Sequence, residues 1–265
     1  MKIASYGGGV QSTAMLVLAV QSKIDFKTFL FCNVGDDSEH PLTLVYVHEV
    51  AMPYAKANGI DLVELHRIKR TGEPETLYQR LTRDGIRSID IPVRMNNGAP
   101  GNRNCTADFK IKVVDRWLRE RGAKESGAQV AIGISLDEFQ RMKPNMDKST
   151  PWKENKFPLI DLRMSRQDCM SVIAKAGLPV PPKSSCFFCP FKSIAKWQEM
   201  RNSEPELFQK SVELENTLNE RRSMLGKDNV WLSSKLKPLD KATTELEQRS
   251  LFSEDIGCDS GYCFL

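Results

Sequence analysis

The sequence predicts an α/β protein: a doubly wound, mostly parallel sheet followed by a helical, cysteine-bearing C-terminal region. Three observations carry that prediction. Strand-like and helix-like stretches alternate through the first 65 residues, the pattern of parallel strands joined by right-handed crossovers. The glycine-rich and acidic loops fall just after strands, where open α/β sheets bind their ligands. Beyond residue 163 the apolar pattern is helical, and five of the seven cysteines lie there. The boundary is therefore set at residues 1–163 for the sheet domain and 164–265 for the helical region.

The first strand, Lys2-Ile3-Ala4-Ser5-Tyr6, runs into Gly7-Gly8-Gly9-Val10-Gln11-Ser12, and an apolar helix follows from Thr13 to Val20. Glycines let the backbone turn sharply and let a ligand come close. Ser12 and Thr13 stand where the helix opens with unpaired N–H groups and a positive dipole end, a junction suited to phosphate or pyrophosphate. A tight turn without a ligand is the plainer alternative. Neither the dinucleotide spacing Gly-x-Gly-x-x-Gly nor the Gly-Lys-Ser/Thr spacing fits the stretch.

Thr28 to Val34 is a continuous apolar run suited to a central strand, and it ends in the polar loop Gly35 to Pro41. Asp36, Asp37, Glu39 and His40 suit a ribose, a base or Mg²⁺, and equally suit a helix cap. Leu42 to Asn58 carries helical spacing (Leu44, Val47, Val50, Ala51, Tyr54, Ala55), Gly59 stops it, and Ile60 to Leu65 is the third strand. Residues 66–104 are broken by Gly72, Pro74, Gly85, Pro92, Gly98, Pro100 and Gly101, and read as an irregular flap over the sheet end.

Thr106 to Arg121 reads as a basic amphipathic helix with Phe109, Val113, Trp117 and Leu118 on one side. Gln129 to Ile134, which includes Gly133, is the fourth strand, followed by a polar stretch with Asp137, Glu138 and Arg141 as ligand candidates or loop salt bridges. Phe157 to Leu162 reads as extended, leading out of the sheet domain. A helix runs from Ser165 to Gly177, the Pro-rich Leu178 to Lys183 cannot be helical, and helices cover 194–201 and 204–225.

With 40% apolar and 27% charged residues the composition is that of a soluble globular protein. No apolar run approaches bilayer length and the N-terminus does not read as a signal peptide, so no membrane partner is expected and the cytoplasm is the expected location. Cysteines there serve as metal ligands or reactive thiols more than as disulfides. Between Arg67 and Arg121 thirteen Lys/Arg stand against seven Asp/Glu. That surplus is either a solvated basic face or a rim that attracts a charged nucleotide or a nucleic-acid backbone.

Cys186-x-x-Cys189, followed by Pro190, brings two thiolates onto one metal or cluster. A thioredoxin-like pair or two inert core thiols are the alternatives. Cys105, Cys258 and Cys263 lie in loops and are the natural further ligands, whereas Cys32 and Cys169 read as packing residues.

The Gly7–Ser12 stretch resembles the PP-loop of the N-type ATP pyrophosphatases, Ser-Gly-Gly-x-Asp-Ser, with Gly7 in place of the first Ser and Gln11 in place of the Asp. Asn33 to Tyr46, Gly133 to Arg141, the Phe157-Pro158-Leu159-Ile160 segment and Cys186 to Phe191 resemble, in the same order, segments of the phosphoadenosine phosphosulfate (PAPS) reductase-like family. The resemblance implies an adenine nucleotide α-hydrolase-like fold. It implies an adenosine nucleotide, ATP in the leading reading, bound with Mg²⁺ by Ser5, Gly7, Gly8, Gly9, Gln11, Ser12, Thr13, Asn33, Gly35, Gly133, Asp137 and Arg141. Asp36, Glu39 and Cys258 are the candidate catalytic residues.

Some members of the family hold a [4Fe–4S] cluster through a Cys-Cys pair and a later Cys-x-x-Cys, and Asn104 stands here where the first Cys would be. Related thiolation enzymes use three cysteines. Cys105, Cys186, Cys189 and Cys263 are thus the expected ligand set, for an iron–sulfur cluster or for Zn²⁺. The implied activity is cleavage of the α–β phosphate bond of ATP to activate an acceptor for sulfur transfer, with a sulfur-donor protein and a nucleic-acid acceptor as candidate partners. Sulfonucleotide reduction releasing sulfite is the alternative, and a nucleotide-binding module with structural zinc is a third.

Overall fold

The computed structural model describes residues 1–142 and 150–244. Strands β1 (Lys2–Tyr6), β2 (Thr28–Asn33), β3 (Asp61–His66), β4 (Ala128–Ala131) and β5 (Lys153–Lys156) form one sheet in the order β3-β2-β1-β4-β5. Every pairing is parallel, with Tyr6 opposite Phe31, Ala4 opposite Ala131 and Leu30 opposite Val63. Helices cover both faces, as in a doubly wound α/β fold.

Helix α1 (Val10–Val20) is buried along nearly its whole length because it is apolar all round, and it lies on the sheet face formed by Ala4, Tyr6, Phe29 and Phe31. On the same face lies α2, a helical stretch over residues 41–57 with a π-helical segment at Tyr46–Ala51. The short α3 (Leu77–Thr82) follows β3. On the opposite face, α4 (residues 104–119) buries Val114 and Leu118 against Ile3, Leu30, Cys32 and Val130. The chain crosses residue 163 without a break in packing: α5 (Arg166–Lys175) buries Cys169 and Ile173 in the core that holds α1.

A second core lies beyond the strands. It joins Leu77, Leu81, Ile91, Val93 and Phe109 to Phe187, Phe188 and Trp197, and to Phe208, Leu214 and Leu218 on the last two long helices, α6 (Ile194–Ser203) and α7 (Pro205–Met224). The region 67–103 is irregular as expected, yet it is pinned. The carboxylate of Glu75, 4% exposed, pairs with Arg67, Arg80 and Arg83, and Arg80 also reaches Asp90 and Asp108.

Two expectations are corrected. Residues 157–162 are not extended, because Pro158 opens a helical turn, Pro158–Asp161, where its missing N–H costs nothing. The extended segment before it is β5, Lys-Glu-Asn-Lys, an edge strand whose charged residues hide the strand signal while guarding the edge. The fourth strand is also shorter than expected, ending at Ala131. No described helix is long and apolar enough to cross a membrane.

Candidate functional site

The sheet order reverses at β1: β2 and β3 lie to one side of it, β4 and β5 to the other. The crevice outside the carboxyl ends of β1 and β4 is therefore the topological switch point, the usual ligand position in open α/β sheets. Gly7–Gly8–Gly9 leaves β1 there and Gly133 leaves β4 there. The two loops touch. A Cβ at Gly133 would lie 3.3 Å from Ser12 N and from Gln11 Cβ, a tight contact, so the β4 loop meets the first turn of α1 closely.

Gly8 sits at φ +75°. A Cβ there would fall 2.9 Å from Thr43 Cγ2 on α2 and 3.7 Å from Ser184 Cβ, which leads into the Cys-x-x-Cys loop. Helix α1 starts from Gly9 in extended conformation, and Ser12 Oγ accepts from Gly9 N at 3.2 Å and donates to Gly9 O at 3.0 Å. The glycine turn is thus self-bonded, and Gly8 to Thr13 are buried. Thr13 Oγ1 bonds the buried Tyr6 hydroxyl at 3.0 Å, fixing α1 on β1, and burial pushes the Tyr6 phenol well above its ordinary range. Ser5 lies within β1 opposite Leu30, short of the loop.

The loop after β2 is organised by Asn33. Its side chain donates to Asp36 Oδ1 (2.8 Å) and Glu64 Oε1 (2.6 Å) and accepts from Gly35 N (2.8 Å). Gly35 O in turn accepts from Ser38 and Glu39 N–H groups. Asp36 is exposed, whereas Glu39 is 3% exposed. Burial pushes the Glu39 carboxyl up, partly offset by Lys110, whose Nζ stands 4.0 Å from Glu39 Oε1.

The same loop receives the cysteine segment edge to edge. Phe187 N donates to Ser38 O (3.1 Å), His40 N donates to Ser185 O (3.1 Å), and Glu39 bridges Cys186. His40 accepts from Leu42 N with Nδ1, capping α2, so Nε2 carries the proton that it donates to Glu204 at 2.8 Å.

Cys105, Cys186 and Cys189 line one small cavity of about 30 Å³ together with Arg103, Lys110 and Phe191. Eighty intervening residues separate Cys105 from Cys186 in the chain. The start of α4 and the segment after the prolines bring them to a common wall. Asn104 donates to Asp90 Oδ1 at 3.1 Å. Among the described residues no three His, Cys, Asp or Glu side chains are gathered closely enough to hold a metal ion as they stand.

The chemistry of the set nonetheless fits a thiolate-bound centre. Three soft ligands face one space, and Arg103, Lys110 and the neighbouring Lys192 supply positive charge that favours thiolates. Cys258 and Cys263 lie outside the described residues. Cys32 and Cys169 are buried in the two sheet cores, and burial pushes both thiols up to about 12.

Asp137 and Arg141 lie past β4 and are engaged in structure. Asp137 Oδ2 accepts from Ser135 Oγ and from Arg166 N, capping α5, while Arg141, 4% exposed, pairs with Glu138 at 2.7 Å. The cap places a residue that sequence reasoning missed. The Arg166 guanidinium donates to Gln11 Oε1 at 3.3 Å, bringing a cation to the glycine junction. The two residues are 155 positions apart, and only the packing of α5 on α1 unites them.

The basic surplus also resolves. Arg67 and Arg80 stack on Phe109 at 5.1 and 5.2 Å while paired with Glu75, and Arg94 and Arg103 lie over Phe191 at 5.7 and 5.3 Å. These four arginines hold the second core together. Arg83 and Arg87 are exposed. A scan against protein-family models and a search of curated proteins both return no match for this chain.

Proposed function

We propose that the chain binds an adenosine nucleotide, ATP, at the glycine junction, and cleaves its α–β phosphate bond to activate an acceptor for sulfur transfer. The observation that carries this reading is the convergence at Gly8. The phosphate-suited turn meets α2 at Thr43 and the segment leading to Cys186 at Ser184, and the loop after β2 bonds that same segment through Ser38 and His40. A nucleotide-binding turn and a thiol centre share little reason to adjoin unless one reaction uses both.

In this account the first turn of α1 takes the pyrophosphate through its N–H groups, and the Arg166 guanidinium beside Gln11 offsets phosphate charge. Gln11 replaces a carboxylate, so its amide orients Arg166. Mg²⁺, when bound with the nucleotide, supplies further neutralising charge. Asn33 and Asp36 border the crevice beside the ribose and base position. An acceptor oxygen attacks the α phosphorus, pyrophosphate leaves, and a sulfur nucleophile then displaces AMP from the activated acceptor. Cys105, Cys186 and Cys189 would hold an iron–sulfur or zinc centre, which, when bound, keeps sulfur in nucleophilic form. Glu39, bridged to Cys186, positions that segment.

Product analysis tests the reading. Anaerobically prepared protein given ATP, sulfide and candidate acceptors is expected to release AMP and pyrophosphate together with a thiolated acceptor. Sulfite release from a sulfonucleotide with a thiol reductant, without ATP cleavage, would replace it with the reductase reading.

A further inference from the structure

A second cavity of about 240 Å³ opens between the start of α2, the cysteine segment and α6, lined by His40, Lys183, Ser185, Cys189, Lys192 and Lys196 among others. It shares Cys189, Ser185 and Phe191 with the small cysteine cavity, so Cys189 stands in the wall between them. Lys183 and Ser185 flank Ser184 in the chain, and Ser184 Cβ lies 3.7 Å from where a Cβ at Gly8 would stand. No part of the nucleotide account uses it.

Its charges are unevenly matched. Three lysines face two glutamates, and both glutamates have closer partners: Glu199 holds Lys196 at 2.7 Å and Glu204 holds His40 at 2.8 Å. Lys192 rests on the Trp197 ring at 4.9 Å and on Met200 Sδ at 3.5 Å. Among the described residues no carboxylate pairs with Lys183 or Lys192. Both lysines line the same pocket. The negative groups facing Lys192 are Glu204 and the Cys186 and Cys189 sulfurs. Helix α6 opens directly after Lys192 with Ser193 as its cap, so its positive end lies beside that lysine. Two partly buried cations that share one pocket and hold no carboxylate there favour an anion between them.

We propose that this pocket is an anion-binding site in which Lys183 and Lys192 clamp the carboxylate or phosphate group of a small acceptor, delivering it between the glycine junction and Cys189. The acceptor role rests on the sulfur-transfer reading, whereas the anion site stands on the pocket alone. The pocket's volume of about 240 Å³ suits a small molecule.

The test is calorimetric titration of the full chain with inorganic phosphate and, separately, with succinate. It compares wild type, Lys183→Gln, Lys192→Met and the double variant. Lys192→Met keeps an unbranched side chain on Trp197 and removes a buried charge, so the fold is expected to persist, which urea midpoints check. Anion affinity is expected to fall about tenfold for each lysine removed. The stronger of the two anions in wild type identifies the group recognised.

ATP affinity, measured in the same proteins, is expected to be unchanged by the double substitution. Wild-type protein that binds the anion but no adenosine nucleotide would sink the sulfur-transfer reading and leave the anion site standing. Equal anion affinity in wild type and the double variant would overturn the proposal, placing the anion at the glycine junction or assigning Lys192 to the cysteines alone. Failure of both anions to bind wild type would overturn it as well.

Discussion

Gly8 and Gly177 share a backbone angle, φ +75°, but differ in surroundings, and that pair isolates what the glycine junction requires. Gly177 follows α5 at the surface, and a Cβ added there would meet no atom within 4 Å. Gly177→Ala therefore measures the left-handed conformation by itself, about 1–2 kcal/mol. Gly8→Ala carries that same cost. It adds a methyl 2.9 Å from Thr43 Cγ2, a contact that real Cβ atoms do not make, inside a packed turn where overpacking costs roughly 1–3 kcal/mol.

Gly8→Ala is therefore expected to lose about 2–5 kcal/mol in all. Thr43→Ser removes the offending methyl and keeps the hydroxyl. In the Gly8→Ala background it is expected to return most of the difference between the two alanine variants. Urea unfolding of the four proteins, followed by circular dichroism, gives the cycle. Equal losses for Gly8→Ala and Gly177→Ala, or no recovery with Thr43→Ser, would refute the close approach of the junction to α2.

Four further outcomes follow from named contacts. Cys105→Ser is expected to lower bound iron or zinc, read by metal analysis, while Cys32→Ser and Cys169→Ser leave it unchanged; equal metal in Cys105→Ser would separate that thiol from the Cys186–Cys189 pair. In the same variant the segment 178–191 is expected to resist protease as before, because Phe187, Phe188 and the backbone bonds to Ser38 and His40 still hold it. Glu215 is buried on α7 and accepts from Leu232 N and Leu239 N at 2.7 Å, yet burial pushes its carboxyl up to about 7 from an ordinary 4.5. The folded chain thus takes up a proton that the unfolded chain has released. Stability from this group is full below pH 4.5 and is lost as pH rises through 7, by on the order of 3 kcal/mol. Glu215→Gln should flatten that slope in urea titrations at pH 5 and 8, and an unchanged slope would assign it to another group. Arg166→Gln is expected to weaken ATP binding by about tenfold with little loss of fold, since it removes one charge-assisted contact while Asp137 still caps α5 through the backbone. Unchanged ATP affinity in a titration of that variant would remove Arg166 from the site.

The sheet was legible because its signals are local. Apolar continuity marks β2 at Phe29 to Cys32, as a strand buried on both faces must show, and α2 carries its helical period openly. The edge strand β5 was not legible, because Lys-Glu-Asn-Lys obeys its exposure rather than its conformation. The Gly7–Thr13 turn and the Cys186–Cys189 segment announced themselves by residue type. Their meeting at Gly8 and Ser184 depends on tertiary packing.

Arg166 shows the limit most clearly. In sequence it is one cation in a helix's first turn, and its place beside Gln11 exists only because Ile173 and Cys169 seat α5 on α1. The arginines of 67–103 show the converse error. A charge count sees a surplus, whereas one buried carboxylate, Glu75, draws Arg67 and Arg80 into internal structure and leaves the third partner, Arg83, exposed.

The central claim, an adenosine nucleotide at the switch point of the sheet, is tested most directly by hydrogen exchange of the full chain with and without Mg·ATP, resolved to short peptides. Slowed exchange is expected in residues 7–13 and 132–138, with a smaller effect in 33–40 and none in α7. Saturating ATP that leaves residues 7–13 unchanged, or that protects only segments away from the carboxyl ends of β1 and β4, would contradict the account.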